Sequence, residues 1–291
     1  MFILKISNAY NHLRNIVPDN NFQTYYQQYK IHPLLIAENA QCSYLYAKFH
    51  LKDKFPLGEH AIAKDAFYSY NYAKDVCKGS FSLGELTIAK VAYYAHMYAK
   101  DVLKSRFILA EHNIVNSDIK ILFAYVNLVV KERFELGEHA IAKDASLSYR
   151  YAAGVLHARF ELGEPAISTD PHYSYMYARD VLKGPFLLGE SVIAKNSIYS
   201  YMYATDILNG KPFKLGEPAI AKSPELAVEY ASLILEKPFK LAEPYIAKSE
   251  TASKKYTQLV LYKDFILNGK LICKYDEESD IDMDFDFDDL H

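Results

Sequence analysis

Apolar and polar positions along the chain recur on a period much longer than a helical turn or a strand pleat. One phrase, Phe-x-Leu-Gly-Glu with an Ile three residues further on, returns every 26 or 27 residues. Its opening aromatics are Phe55, Phe81, Phe107, Phe134, Phe160, Phe186, Phe213 and Phe239, and Phe265 opens a truncated copy. With Phe as position zero, +2 is Leu in all eight full copies, from Leu57 to Leu241. Position +4 is always Glu: Glu59, Glu85, Glu111, Glu138, Glu164, Glu190, Glu217 and Glu243. Position +7 is always Ile, from Ile62 to Ile246, and a decayed copy upstream carries Tyr29, Ile31 and Ile36 in the equivalent places. A unit this short cannot bury its own apolar stripe, but a stack of such units can.

Each copy reads as two helices. Pro165, Pro218 and Pro244 directly follow the Glu, where the start of a helix tolerates proline. A short first helix then carries the Ile inward. Position +10 holds Asp65, Ser117, Asp144, Asp170, Asn196, Ser223 or Ser249, all N-cap residue types, so a second helix begins there. Gly79, Gly184 and Gly210 mark its end. At about 100° per residue, +14, +18, +21 and +22 share a face, which in the fifth copy holds Ser174, Ala178, Val181 and Leu182. Tyr175 and Tyr177 flank that stripe, Tyr173 lies further out, and Arg179, Asp180 and Lys183 are expected in solvent. The third copy, Phe107 to Arg133, loses the tyrosine pattern and reads as a bend or an extra-buried joint.

The predicted fold is therefore an all-α solenoid of about nine short two-helix repeats. Residues 1–28 are expected to form a helical N-terminal cap, residues 29–275 the repeat domain, and residues 276–291 a disordered acidic tail. Charge sharpens that last boundary. The formal net charge is only −3, yet residues 276–291 hold nine acidic side chains and no Lys or Arg. The rest holds all 33 basic residues and 27 acidic ones, which leaves a body of +6. Three scattered cysteines, Cys42, Cys77 and Cys273, argue against a disulfide scaffold and for a reducing compartment. Polar breaks at Ser7, Asn8 and Asn11 interrupt any signal-peptide core, and no apolar run is long enough to span a bilayer.

The copy Phe160-Glu-Leu-Gly-Glu-Pro-Ala-Ile-Ser-Thr-Asp-Pro-His-Tyr-Ser-Tyr-Met-Tyr-Ala-Arg-Asp-Val-Leu-Lys-Gly-Pro185 resembles a short helical repeat of tailed-bacteriophage and large DNA-virus proteins. The resemblance covers about residues 29–270. It implies a viral origin and expression in the cytoplasm of an infected host cell, and it brings no catalytic residues.

Candidate chemistry is sparse. The Glu ladder reads as a helix-start feature of the stacking unit, favouring the dipole and accepting backbone N–H bonds, rather than an acidic or metal-binding spine. The +9 lysines (Lys64, Lys90, Lys143, Lys195, Lys222 and Lys248) fit either a phosphate-tracking row or compensation of the short helix's negative end. No nucleophile elbow, zinc-protease motif or phosphate loop is present, so the expectation is a non-enzymatic protein with no cofactor and no metal. The +13 tyrosines Tyr68, Tyr94, Tyr173 and Tyr199 are the candidate partner contacts on the body. The tail alternates acid with Ile281, Met283, Phe285 and Phe287, and its candidate contact residues are Asp284, Phe285, Asp286, Phe287, Asp288 and Asp289. It reads as a solubilising tail, as a recognition peptide, or as a mask lying along the basic body. It is similar to the acidic, Phe-containing tip of bacterial single-stranded-DNA-binding proteins but lacks their Pro-Phe end. The expected role is a protein–protein interaction scaffold or an inhibitor of a host protein. The alternative is a nucleic-acid-associated protein or polyanion mimic acting through the tail. No membrane association is expected, and the oligomeric state is open.

Overall fold

The computed structural model describes residues 32–277, so the expected N-terminal cap and all but the first two tail residues lie outside the described residues. The chain forms short helix pairs and divides into two compact units, one up to Ile141 and one from Ala142 onward. In the first unit the first helices are Pro56–Ile62, Ser82–Ala89, Ile108–Val115 and Glu135–Ile141. Its second helices are Ala66–Tyr72, Ala92–Tyr98 and Ile119–Tyr125, and the decayed copy supplies Pro33–Ile36 and Ala40–Leu45. In the second unit the first helices shrink to single turns, Glu164–Ile167, Glu190–Ile193, Glu217–Ile220 and Glu243–Ile246. In three of these the proline is the second helical residue, after the Glu. The second helices there are Ala145–Tyr151, Pro171–Met176, Ser197–Met202, Pro224–Glu229 and Glu250–Tyr256, and successive ones pack on each other. Each unit is thus a stack of helix pairs, as the repeat predicts.

The caps form largely where the sequence places them. Asp65 accepts the Tyr68 N–H at 3.0 Å, Asp144 that of Leu147 at 2.8 Å, and Asp170 that of Tyr173 at 3.0 Å. Asn196 and Ser249 do the same for Tyr199 and Ala252. Ser223 occupies the cap position without a side-chain bond. In the third copy the cap is Asp118, not Ser117, because that copy carries one extra residue; Ser117 Oγ donates instead to the Ile114 carbonyl.

Helix ends depart from expectation. Every second helix opens into a π-helical turn, such as Ala73–Cys77 or Tyr177–Leu182. The residue that reverses the chain is the one after it, held left-handed: Lys52, Lys78, Lys104, Lys131, His157 and Lys183 all have φ near 50°. Gly79 and Gly184 follow that residue rather than supplying the reversal; after Tyr203–Ile207 the next residue, Leu208, is not left-handed, and Asn209 and Gly210 turn the chain, both at positive φ. The wider turn also rotates the buried face, because π bonding needs more residues per turn than the α period assumes. Ser174 and Ala178 are fully buried as expected, whereas Val181 and Leu182 are only half-buried, and Tyr175 and Tyr177 lie inside.

A small sheet breaks the all-α pattern at the end of the second unit. Strand β1 (Phe265–Leu267) pairs antiparallel with β2 (Lys270–Cys273). Asn268 and Gly269, both at positive φ, form the tight turn that a two-residue hairpin needs. Phe265 takes the buried Phe position, and the hairpin packs on helix Glu250–Tyr256.

Two contacts define the stack. The first is a hydroxyl node. The +17 tyrosine (Tyr125 at +18 in the longer copy) is completely buried, accepts the N–H of its own Phe and donates to its own Glu. Tyr72 bonds Phe55 N at 2.8 Å and Glu59 at 2.9 Å; Tyr98, Tyr125, Tyr177, Tyr203, Tyr230 and Tyr256 repeat the arrangement. The second is a close approach. Ser at +14 donates to the carbonyl of its own +7 Ile, as Ser174 does to Ile167 at 2.9 Å, and faces Gly at +3 of the next copy. A Cβ on Gly189 would stand 2.7 Å from Ser174 Oγ and 2.5 Å from Phe186 Cδ1. Where +3 is Ala (Ala110, Ala242), the preceding copy's +14 is also Ala (Ala95, Ala227), so the pair changes together. Gly189→Ala is expected to cost about 1–3 kcal/mol by overpacking, and adding Ser174→Ala should recover much of it. Urea unfolding of the two single variants and the double variant measures this; strictly additive losses would refute the pairing.

Candidate functional site

The four tyrosines singled out on the body are half-buried and occupied in stacking. Tyr68 packs on Tyr44 with ring centroids 5.9 Å apart, Tyr94 on Tyr70 at 6.3 Å, Tyr173 on Tyr149 at 6.0 Å and Tyr199 on Tyr175 at 5.9 Å. In each case the +13 ring lies against the +15 ring of the preceding copy. In the first unit Phe67 and Tyr93 extend this cluster to the surface. In the second unit His172 Nδ1 meets the Tyr199 hydroxyl at 2.9 Å. The tail residues Asp284 to Asp289 lie outside the described residues.

The +15 tyrosines lead to a cross-copy clasp. Tyr44 donates to Asp75 at 2.6 Å, Tyr70 to Asp101 at 2.7 Å and Tyr149 to Asp180 at 2.6 Å; Tyr175 donates to Asp206. Lys48 and Lys74 reach both members of their pairs. Burial alone would raise the Asp75 and Asp101 carboxyls, but the hydroxyl and ammonium partners hold both below the usual range. Burial first, then the aspartate bond, pushes Tyr149 and Tyr175 up to about 12. Asp75 and Asp101 are accordingly half-buried rather than free in solvent. Where His96 replaces the tyrosine, the matching position of the next copy is Leu128, so this pair too is lost as a unit.

The Glu ladder is part of the hydroxyl node. Its carboxylates take tyrosine O–H donors instead of the backbone N–H groups expected of a helix start. Arg106 grips Glu111 through two nitrogens, both at 2.8 Å, and Arg159 grips Glu164 at 2.7 and 3.0 Å. Among the described residues no cluster of His, Cys, Asp and Glu is placed to hold a metal, and no helix is long and apolar enough to cross a membrane.

The feature that sequence reading missed is the +2 leucine. Phe and Ile at 0 and +7 are buried, but all eight leucines are 42–57% exposed. Each stands in the first turn of a first helix or, in the second unit, two residues before it, and a few residues after the left-handed residue that ends the preceding second helix. That turn edge is basic: Lys52, Lys54, Lys78, Lys104 and Lys131 in the first unit, and Lys183, Lys211, Lys214, Lys237 and Lys263 in the second, are exposed and enter no ion pair among the described residues. In the second unit the edge also holds a shallow cleft of about 680 Å³, lined by Leu187, Leu188, Pro185, Arg159 and Glu164. The signal was present in the sequence as an apolar residue invariant across copies, but invariance by itself does not distinguish core from surface. The opposite edge carries the +9 lysines, all exposed.

Comparison with protein-family models, curated proteins and solved structures yields no match.

Proposed function

We propose that the chain is a non-enzymatic interaction scaffold whose leucine–lysine turn edge receives an acidic, apolar segment of a protein partner. The observation that carries this reading is the +2 leucine. The repeat itself explains the buried Phe, the Glu tied to tyrosine and the buried Ile, but gives the leucine little to pack on. In each unit a row of exposed apolar side chains, flanked by cations that pair with no described residue, matches a ligand that presents apolar anchors among carboxylates. The resemblance to phage repeats supports the cytoplasm of an infected cell as the setting and a host or viral protein as the partner. The +13 tyrosines contribute where their outer faces adjoin bound protein.

The test is capture of partners from nuclease-treated host lysate by the full chain and by Leu188→Asp/Leu215→Asp/Leu241→Asp. These side chains are half exposed, so the variant should keep its helical circular dichroism. Loss of capture by about tenfold or more, as for central apolar anchors, is expected. Undiminished capture by the folded variant would sink the proposal.

The exposed +9 lysines favour one other reading, contact with a nucleic-acid backbone. That mode requires binding that collapses between low and moderate salt and disappears with nuclease.

A further inference from the structure

We propose that residues 278–291 seat on the leucine–lysine edge of the second unit and occupy it until an external partner displaces them. This regulation rests on the function proposed above. The path of the chain supports it. After β2, the Tyr275 N–H donates to Asp264 at 2.8 Å and Gln258 Nε2 donates to the Asp276 carbonyl at 2.6 Å. Asp264 immediately precedes Phe265, so the chain leaves the hairpin at the end of the same turn edge.

Charge and pattern are complementary. Residues 278–291 hold seven acidic side chains, and Asp280 to Asp288 alternate with Ile281, Met283, Phe285 and Phe287. In an extended segment that alternation puts the apolar groups on one side. The edge offers Leu187, Leu188, Leu215, Leu241 and Ile266 as apolar footing, with Leu187 77% exposed. Lys183, Lys211, Lys214, Lys237 and Lys263 border them with no ion pair among the described residues. The exposed acids of this edge, Glu161, Glu236 and Asp264, are fewer than its five lysines, and Asp264 already accepts the Tyr275 N–H, while Glu164, Glu217 and Glu243 are tied to tyrosine hydroxyls.

The reach also agrees. The cleft beside Leu187 and Leu188 lies three copies back from Phe265. At an interaxial distance of about 8–10 Å per stacked helix, that is roughly 24–30 Å. Phe285 and Phe287 stand eight and ten residues beyond Glu277, roughly 26–33 Å in extended chain. The segment is therefore long enough for an aromatic anchor to reach the cleft.

The chain contains no tryptophan, so Phe287→Trp in the full-length protein supplies a single indole. Its emission is expected to be blue-shifted, with acrylamide quenching about threefold weaker than in a free peptide of residues 276–291 carrying the same change, as the ring leaves water. Leu188→Asp/Leu215→Asp, or Lys214→Glu/Lys237→Glu, should return it to the peptide value. Independence of protein concentration distinguishes the chain's own edge from that of a second copy. As a second measurement, the labelled peptide is titrated into the native chain and into a chain with Asp280, Asp282, Asp284 and Asp286 changed to Asn. Binding about tenfold tighter to the neutralised chain is expected, because the native edge is filled intramolecularly. Peptide-like emission in the folded native chain, or equal peptide affinity for both chains, would overturn the inference. If that occurs while the leucine variant still loses its lysate partners, the scaffold reading stands and only the tail's role falls.

Discussion

Raising the pH above 10 is expected to unfold each unit over a narrow range, with helix loss and tyrosine ionisation occurring together. Burial pushes the phenols of Tyr72, Tyr98 and Tyr125 in the first unit, and of Tyr177, Tyr203, Tyr230 and Tyr256 in the second, far above the ordinary value of 10.0. In both units the Glu carboxylate beside each ring adds to the effect. Between the unfolded and folded pKa values the folded chain keeps its phenolic protons while the unfolded chain releases them. Their contribution is therefore complete below pH 10 and is lost as pH rises through the folded values. Each such group removes about 1.4 kcal/mol per pH unit in that window. Four in the second unit together remove roughly 5–6 kcal/mol per pH unit, comparable with the whole stability of an ordinary domain. Parallel titration of tyrosinate absorbance and helical circular dichroism tests this. If the buried set ionised near 10 in a chain that stayed helical, the node would not be formed as described.

Tyr177→Phe is expected to destabilise the second unit by about 2–4 kcal/mol, since it removes one oxygen that serves two buried groups. The Phe160 N–H loses its acceptor, and Glu164 loses a donor at 3.1 Å while keeping Arg159. The ring volume stays, so its edge-to-face contact with Phe186 at 5.2 Å survives and little of the loss is packing. Tyr175→Phe is the matched control, two residues away on the same helix. Its hydroxyl donates to Asp206, which is exposed and can rehydrate, so about 1 kcal/mol or less is expected. Equilibrium urea unfolding of both variants compares the two losses. A Tyr177 variant no worse than the Tyr175 variant would remove the hydroxyl node from the account of stability.

The legibility of the chain varied with how local the cause was. Asp65, Asp144, Asp170 and Asn196 act as caps because a short acceptor before a helix satisfies N–H groups two or three residues away. That depends on neighbours in sequence and was readable. The buried Phe and Ile were readable because eight copies repeat the same requirement. The Glu was recognised as structural, but its partner was misassigned: the tyrosine that serves it is thirteen residues away and reaches it only after the pair has folded. The face of the second helix was misjudged because the π turn changes its period, and nothing in composition announces that turn. Ser117 was mistaken for the third cap because the extra residue of that copy cannot be located by counting.

Sequence alone determined that the described residues form short helix pairs stacked within each unit, where most pairs begin, and most of the residues that cap them, because a repeat multiplies every local preference and holds it in register. It also isolated the acidic segment, because charge is additive and needs no geometry. Only the tertiary structure decided what the invariant positions are for. Packing turned Tyr and Glu into an internal hydroxyl node, drew Tyr68, Tyr94, Tyr173 and Tyr199 into ladders, and left the equally invariant leucines on an outer basic edge. An invariant apolar residue satisfies the sequence pattern equally well inside or outside, and its exposure depends on the neighbouring copy that packs against it.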